Sequence, residues 1–279
     1  MNNELIDTHC HIHDSAFSDK FANKSPDLMI KEAHEAGVEK LICVGTDLSS
    51  SEQAVEFCAS RENCFSSVAL HPHEVATLSD TEIEQAMTRL RAIVVSKPPS
   101  LKAIGECGLD YFYHSDTETH ERQQKLLRAH LDIAVKFDLP LIFHIRDAQN
   151  SDGSAASNAF EEFFEIFDSY KKLRGVVHSF SATKKELAGV LERDLYVGLN
   201  GIMTFTKLPK QLEAAKAVPL EKIVVETDAP FLTPAPLRGK MCEPKHVVFT
   251  AEFLSDLRGE NPQQFAKQTT LNAQRLFGL

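Results

Sequence analysis

His9 and His11 stand two residues apart at the end of an apolar run that begins at Leu5. In an extended strand, residues i and i+2 share a face, so the two imidazoles aim at one point while Cys10 points away. Such a pair is half of a metal site, and alone it is a weak signal. The rest of the chain adds to it. His71-Pro72-His73 follows a third apolar run, Glu106 ends a fourth, His144 a fifth and His178 a sixth, and Asp228 lies just beyond an eighth. A convergent ring of His, Glu and Asp is costly to bury unless a cation or catalysis uses it. Imidazole and carboxylate without thiolate suit Zn²⁺ or Mn²⁺, and a carboxylate-rich version tolerates Mg²⁺. The expected cofactor is therefore one or two divalent metal ions. With two carboxylate oxygens, Glu106 is the expected bridge; His9, His11 and Asp228 complete one ion, and His144 with His178 the other. Such a centre activates water, and Asp228 is placed to take its proton as general base.

These residues need elements to carry them. Eight short runs recur: Leu5–His9, Leu41–Gly45, Phe65–Leu70, Ala103–Glu106, Leu141–His144, Gly175–His178, Tyr196–Leu199 and Ile223–Glu226. Each is too short for a helix and apolar on both faces, which is the pattern of a buried parallel strand. Helical segments separate them. Ser25-Pro26-Asp27 supplies a cap and a first-turn proline before Leu28–Ala36, and Gly37 stops that helix. The next three are Ser49–Arg61, Ser79–Ser96 and Thr117–Phe137, and Ala155–Lys172, Thr183–Arg193, Leu208–Val218, Glu243–Arg258 and Pro262–Phe277 follow. Strand and helix alternate eight times, with one helix left over. The spacing predicts an α/β fold, a single (β/α)8 TIM-like barrel spanning 1–279 with an extra C-terminal helix. Active sites of such barrels sit at the C-terminal strand ends, where the ligand-type residues fall. The polar loop 147–157 and the proline-rich stretch Thr233–Pro244 should rim that mouth.

Composition narrows the partners. No apolar run approaches the ~20 residues of a membrane span, and the first residues show no secretory signal. The expectation is a cytoplasmic protein with no membrane partner. The six cysteines show no CxxC spacing, and Cys10, Cys43 and Cys107 lie in or beside strand-like runs, as buried reduced thiols do. A formal charge of −10 argues against a broad nucleic-acid-binding surface, so any polyanionic substrate must meet a local basic patch.

The strings DTHCH, GECGLDYF, HIRDA, HSFS, ETDAPFLTP and RGK occur in order over nearly the whole chain. They resemble the TatD family of metal-dependent deoxyribonucleases, within the amidohydrolase superfamily. The resemblance implies a TIM-like barrel, one or two divalent ions, and hydrolysis of phosphodiester bonds in DNA. It also implies His9, His11, Glu106, His144, His178 and Asp228 as ligands, each at the matching position. Ala182, and Met241-Cys242 after the RGK string, depart from the usual family pattern without touching a ligand.

The same ring can cleave amides, esters or phosphoesters, so the rim decides. Arg146 lies two residues past His144 and shares its side if the strand stays extended. Lys207 follows the seventh run, and Arg238 and Lys240 sit on the last mouth loop. With His73 as a weaker member, these form a local anion site, because an arginine grips phosphate bidentately. The first reading is a deoxyribonuclease acting on single-stranded or frayed DNA ends. The alternatives are a hydrolase of a small amide, ester or phosphoester, and a non-catalytic scaffold, which a complete ligand set disfavours. So few cations hold only about two or three phosphates, giving a salt slope of roughly −1 to −2 for single-stranded DNA. Binding of a catalytically dead variant from low to moderate salt checks this; a slope steeper than about −4 would reveal a long basic track.

Overall fold

A computed structural model describes residues 4–21, 24–148, 150 and 154–279. Its strands are β1 (Leu5–Cys10), β2 (Val38–Val44), β3 (Cys64–Val68), β4 (Leu101–Asp110), β5 (Leu141–Arg146), β6 (Gly175–Val177), β7 (Tyr196–Leu199) and β8 (Ile223–Val225). All pair in parallel, in sequence order. The helices between and after them are α1 (Pro26–Glu35), α2 (Leu48–Ala59), α3 (Asp80–Ser96), α4 (Thr117–Phe137), α5 (Ala159–Asp168), α6 (Lys184–Glu192), α7 (Pro209–Ala217), α8 (Val247–Arg258) and α9 (Pro262–Phe277). The expected TIM-like barrel with an extra C-terminal helix is the fold. No helix among the described residues is long and apolar enough to cross a membrane.

Local chemistry starts α1 and α3 close to where the sequence reading put them, whereas α5 and α8 begin at Ala159 and Val247, later than the expected Ala155 and Glu243. The Ser25 hydroxyl accepts the Leu28 N–H ahead of α1, and Ser79 with Glu82 forms a capping box ahead of α3. Along the strands, burial alternates between two cores. Ile6, Ile42, Val44, Ala103, Ile142, Val176 and Val224 fill the barrel. Leu5, Leu41, Cys43 and Phe143 pack outward against the helices. The last turn of α9 reaches the interior cluster with Leu276 and Phe277, and Asn272 donates to the carbonyls of Leu220 and Ile223. The extra helix thus closes the floor of the barrel. All six cysteines are buried and free.

Side chains and backbone close β1 onto the end of β8. Thr8 Oγ1 donates to Val225 O at 3.1 Å, Asp228 N to His9 O at 2.8 Å and His11 N to Ala229 O at 2.8 Å. Beneath them Asp7, fully buried, accepts from Thr227 N at 2.9 Å and from Thr227 Oγ1 at 2.6 Å. Burial pushes the Asp7 carboxyl up to about 8, against the Thr227 hydrogen bonds that lower it.

Two strands run further than the sequence pattern indicates. β4 continues four residues past Glu106, and β5 two past His144. The fourth apolar run was read only as far as Glu106, and the glycines of the Gly105–Gly108 stretch serve close packing of β4 on β5. Gly108 holds φ 156°, and a Cβ there would lie 1.9 Å from His144 O; one at Gly105 would meet Ile142 Cβ at 2.6 Å. Helix α5 begins at Ala159, because Asp147 Oδ1 takes the Ala159 N–H at 2.6 Å and the Ser157 hydroxyl at 2.6 Å. Positions 149 and 151–153 of the loop expected over 147–157 lie outside the described residues.

The end of β3 is tied to α4 by a neutral histidine. Buried His130 donates from Nδ1 to Leu126 O at 2.9 Å and accepts the Leu70 N–H at Nε2 at 3.1 Å. Burial lowers its pKa to about 4. A His whose folded pKa lies below its unfolded value of 6.5 contributes stability above pH 6.5 and loses it as pH falls toward 4. We predict that His130→Leu costs about 1–3 kcal/mol near neutral pH, the cost of an unpaired buried N–H. Urea midpoints should show that gap narrowing as pH drops below 6.5; a gap independent of pH would contradict the neutral tether.

Candidate metal centre

Glu106 is the hub, and the fold isolates it for that task. Gly105 pairs with Ile142 and Cys107 with Phe143, so Glu106 is the extra residue of a bulge in β4. A bulge frees a residue from the ladder and re-aims its side chain. The carboxylate is buried at the C-terminal end of the barrel among four imidazoles. His9 Nε2 lies 3.3 Å from Oε2, while His144 Nδ1, His71 Nε2 and His178 Nε2 lie 2.8, 3.6 and 3.6 Å from Oε1. Asp228 enters from beyond β8, with φ of 62° in the left-handed region. Its Oδ1 is 3.3 Å from His11 Nε2 and 3.7 Å from His9 Nε2. All six residues expected as ligands are therefore neighbours.

Outer partners orient this ring. His11 Nδ1 donates to Val44 O at 2.8 Å, which aims Nε2 at His9 Nε2, 3.2 Å away, and at the Asp228 carboxylate; burial works to lower the His11 pKa, but Asp228 outweighs it and raises it. His178 stacks on His9 with centroids 3.6 Å apart, and its Nδ1 lies 2.8 Å from Glu226 Oε1, which also accepts the Ser179 N–H. Carboxylate or carbonyl on one imidazole nitrogen, with the other aimed inward, is the usual outer support of metal-ligating histidines.

The electrostatics fit a cation. Burial works to raise the Glu106 carboxyl, but His178, His9 and His71 outweigh it and hold it well below the usual range. Asp228 is lowered in the same way, by His11, His178 and His9 against burial. Burial works to lower His144 and His178, yet their acidic neighbours push them up to about 9 and about 10. These carboxylates demand positive charge in their midst, either as protons on imidazole or as a metal ion that competes with them. His9, His11 and Glu106 bring donor atoms within 4.8 Å of one another, as do His71, Glu106 and His144, and His9, His178 and Glu226. The donor set is nitrogen and oxygen, suited to a divalent ion.

Three members of the site were not assigned from sequence. His71 caps the short helix Pro72–Ala76, its Nδ1 accepting the His73 N–H at 3.2 Å. That bond puts the proton of the neutral ring on Nε2, so His71 faces the centre as a donor. Asp110, fully buried, sits 2.9 Å from both His144 Nε2 and His73 Nε2. Glu226 supports His178 from behind. The HPH string and the acidic residues of GECGLD and ETD were the available signals.

The centre opens into a cavity of about 700 Å³ whose wall includes His71, His73, Asp110, Tyr113, Arg146 and Phe231. Because β5 stays extended to Arg146, that arginine shares the cavity with His144 as expected. The other three cations do not line it. Lys207 is exposed. Arg238 lies over the Phe205 ring at 3.7 Å and donates to Thr233 O, and Lys240 borders a separate groove with Met241 and Phe249.

Comparison with known proteins agrees with this geometry. The profile of the TatD related DNase family matches residues 6–278. The 3′-5′ ssDNA/RNA exonuclease TatD of Citrobacter rodentium is 33% identical over 263 residues, covering 92% of this chain and 93% of that protein. An uncharacterized metal-dependent hydrolase of Buchnera aphidicola is 29% identical over 280 residues, 99% of each chain. A TatD homolog from Escherichia coli K12 of known crystal structure superposes with a TM-score of 0.85 at 25% identity, over 100% of both chains. A match that runs from the first strand to the last helix, and takes in every residue around Glu106, means that the chain belongs to the TatD related DNase family.

Proposed function

We propose that this protein is a divalent-metal-dependent phosphodiesterase that hydrolyses nucleic acid, DNA above all, from a single-stranded or frayed end. The observation that carries the reading is the convergence of five imidazoles on the carboxylates of Glu106 and Asp228 at the floor of an open cavity that also holds Arg146. His9, His11, Asp228 and Glu106 would hold one ion, with Glu106, His144 and His178 available for a second. Divalent cations in such a centre polarise a phosphoryl oxygen and acidify water. The 3′-5′ ssDNA/RNA exonucleases among its relatives support nucleic acid as substrate. Six buried free thiols fit the reducing cytoplasm.

The chain's own residues supply the rest of the chemistry. Asp228 Oδ1, held below the usual carboxylate range and facing the cavity, accepts a proton from the attacking water. His71 presents Nε2–H to the same space and donates to a phosphate oxygen. The Arg146 guanidinium supplies a planar fork for the remaining phosphate oxygens, which favours a phosphoester over an amide or lactone. Glu226 and Asp110 position the rings of His178 and His144. Lys207, Arg238 and Lys240 lie outside the cavity.

Two substitutions test the assignment. Glu106→Gln preserves size but removes the shared charge, so it should lower bound divalent metal and cut kcat by more than the roughly hundredfold effect of losing an outer partner. Circular dichroism should be unchanged, since the barrel core lies elsewhere. Full metal occupancy with normal turnover would sink the reading. Asp228→Asn removes the proton acceptor and should reduce kcat by about 10²–10⁴-fold while changing substrate affinity much less. Turnover within a few-fold of wild type would assign the base to another group.

A further inference from the structure

Directly beyond the end of β4, Phe112 and Tyr113 are 45% and 61% exposed. Large aromatic surface in water is unfavourable, and where it rims a cavity it marks a contact surface. The two rings meet edge to face at 4.9 Å, and Tyr113 forms part of the wall of the catalytic cavity. On its other side Tyr113 meets the His73 ring at 5.4 Å, and His73 is held by Asp110. Arg146 lies 3.9 Å above the Phe112 ring and 5.2 Å from that of Tyr113. Among the described residues no carboxylate or carbonyl takes the Arg146 guanidinium N–H groups, and its contacts are with these two rings. Tyr113, Arg146 and the Glu106 centre thus share one cavity wall, and Phe112 adjoins it through its contacts with Tyr113 and Arg146.

We propose that Phe112 and Tyr113 form a stacking platform for the nucleobase beside the cleaved phosphate of a single-stranded nucleic acid, with Arg146 on the adjoining phosphate. The proposal rests on reading the centre as a nucleic-acid phosphodiesterase, and it names how that substrate is held. Base–aromatic stacking tolerates any sequence, because every base has a π-face. It also needs no basic track, which suits a chain of net charge −10. A base inside a duplex already has both faces covered, so the platform selects unpaired ends. The guanidinium supplies the charge complementarity that a purely apolar partner would not require.

The test is carried out in an Asp228→Asn background, by fluorescence anisotropy with a labelled short oligothymidylate and the same strand abasic at its 3′-terminal positions. The intact strand should bind roughly tenfold to a hundredfold more tightly than the abasic one. Adding Phe112→Leu and Tyr113→Leu should bring the intact strand down to the abasic level. Unchanged circular dichroism serves as the folding control, and the two strands should bind this variant equally, because loss of the Arg146 seat lowers both alike. Equal affinities for the two strands before substitution, or discrimination that survives it, would overturn the platform. If the wild-type protein hydrolyses methyl para-nitrophenyl phosphate but neither binds nor cleaves the oligonucleotide, the nucleic-acid reading itself fails and the platform falls with it. Loss of self-association in sedimentation, with strand affinity unchanged, would make the aromatic pair a contact between copies of the chain and would also overturn the proposal.

Discussion

The buried carboxylate of Glu106 sets the terms for everything around it. An ionised carboxylate in a protein interior is sustained only by positive charge or donors at close range. Here the surrounding groups are imidazoles delivered by four different places in the fold: β1, the turn after β3, β5 and the end of β6. Only a closed barrel brings those termini to one point. The bulge that exposes Glu106, the glycines that let β4 lie against β5, and the Asp7–Thr227 contacts that close β1 onto β8 all act on this one convergence. The floor sealed by α9 and the His130 tether beneath His71 belong to the same arrangement. Architecture and chemistry are coupled because a misplaced strand end would leave an unpaired charge rather than merely a weaker site.

Much of this was legible from the chain. The eight apolar runs and their alternation with helices gave the barrel, since parallel strands buried on both faces leave a plain pattern of short β-branched stretches. The residues expected as ligands were legible for a related reason, because each stands at or just beyond the end of one of those runs. What escaped was set by geometry that spacing does not carry. The apolar run of β4 was read as ending at Glu106, so Asp110 lost its place. The close approach of Gly108 to His144 O depends on β5, which local sequence cannot report. His71 was hidden by the turn at Pro72, which breaks strand parity and makes its ring a cap as well as a member of the site. Lys207, Arg238 and Lys240 were placed by their position in the chain, and their side chains settle on other surfaces.

The protein's acidity ceases to conflict with a polyanionic substrate once the charge is considered locally. Within the cavity the proposed metal ions and one arginine would supply the positive charge, while the net charge of the molecule is negative. Repulsion at long range and tight contact at short range favour a chain end that threads into the mouth over a duplex lying across it. On the proposed platform, the exposed Phe112–Tyr113 pair would add affinity without adding charge.

The most direct test of the central claim is anomalous diffraction from crystals of the protein soaked in Mn²⁺. This account predicts an anomalous peak within coordination distance, about 2.0–2.4 Å, of a Glu106 carboxylate oxygen and of His9, His11 and Asp228. A second ion, if bound, should share Glu106 and contact His144 or His178. Peaks confined to surface carboxylates, or a Glu106 that retains only its histidine neighbours under saturating metal, would contradict it.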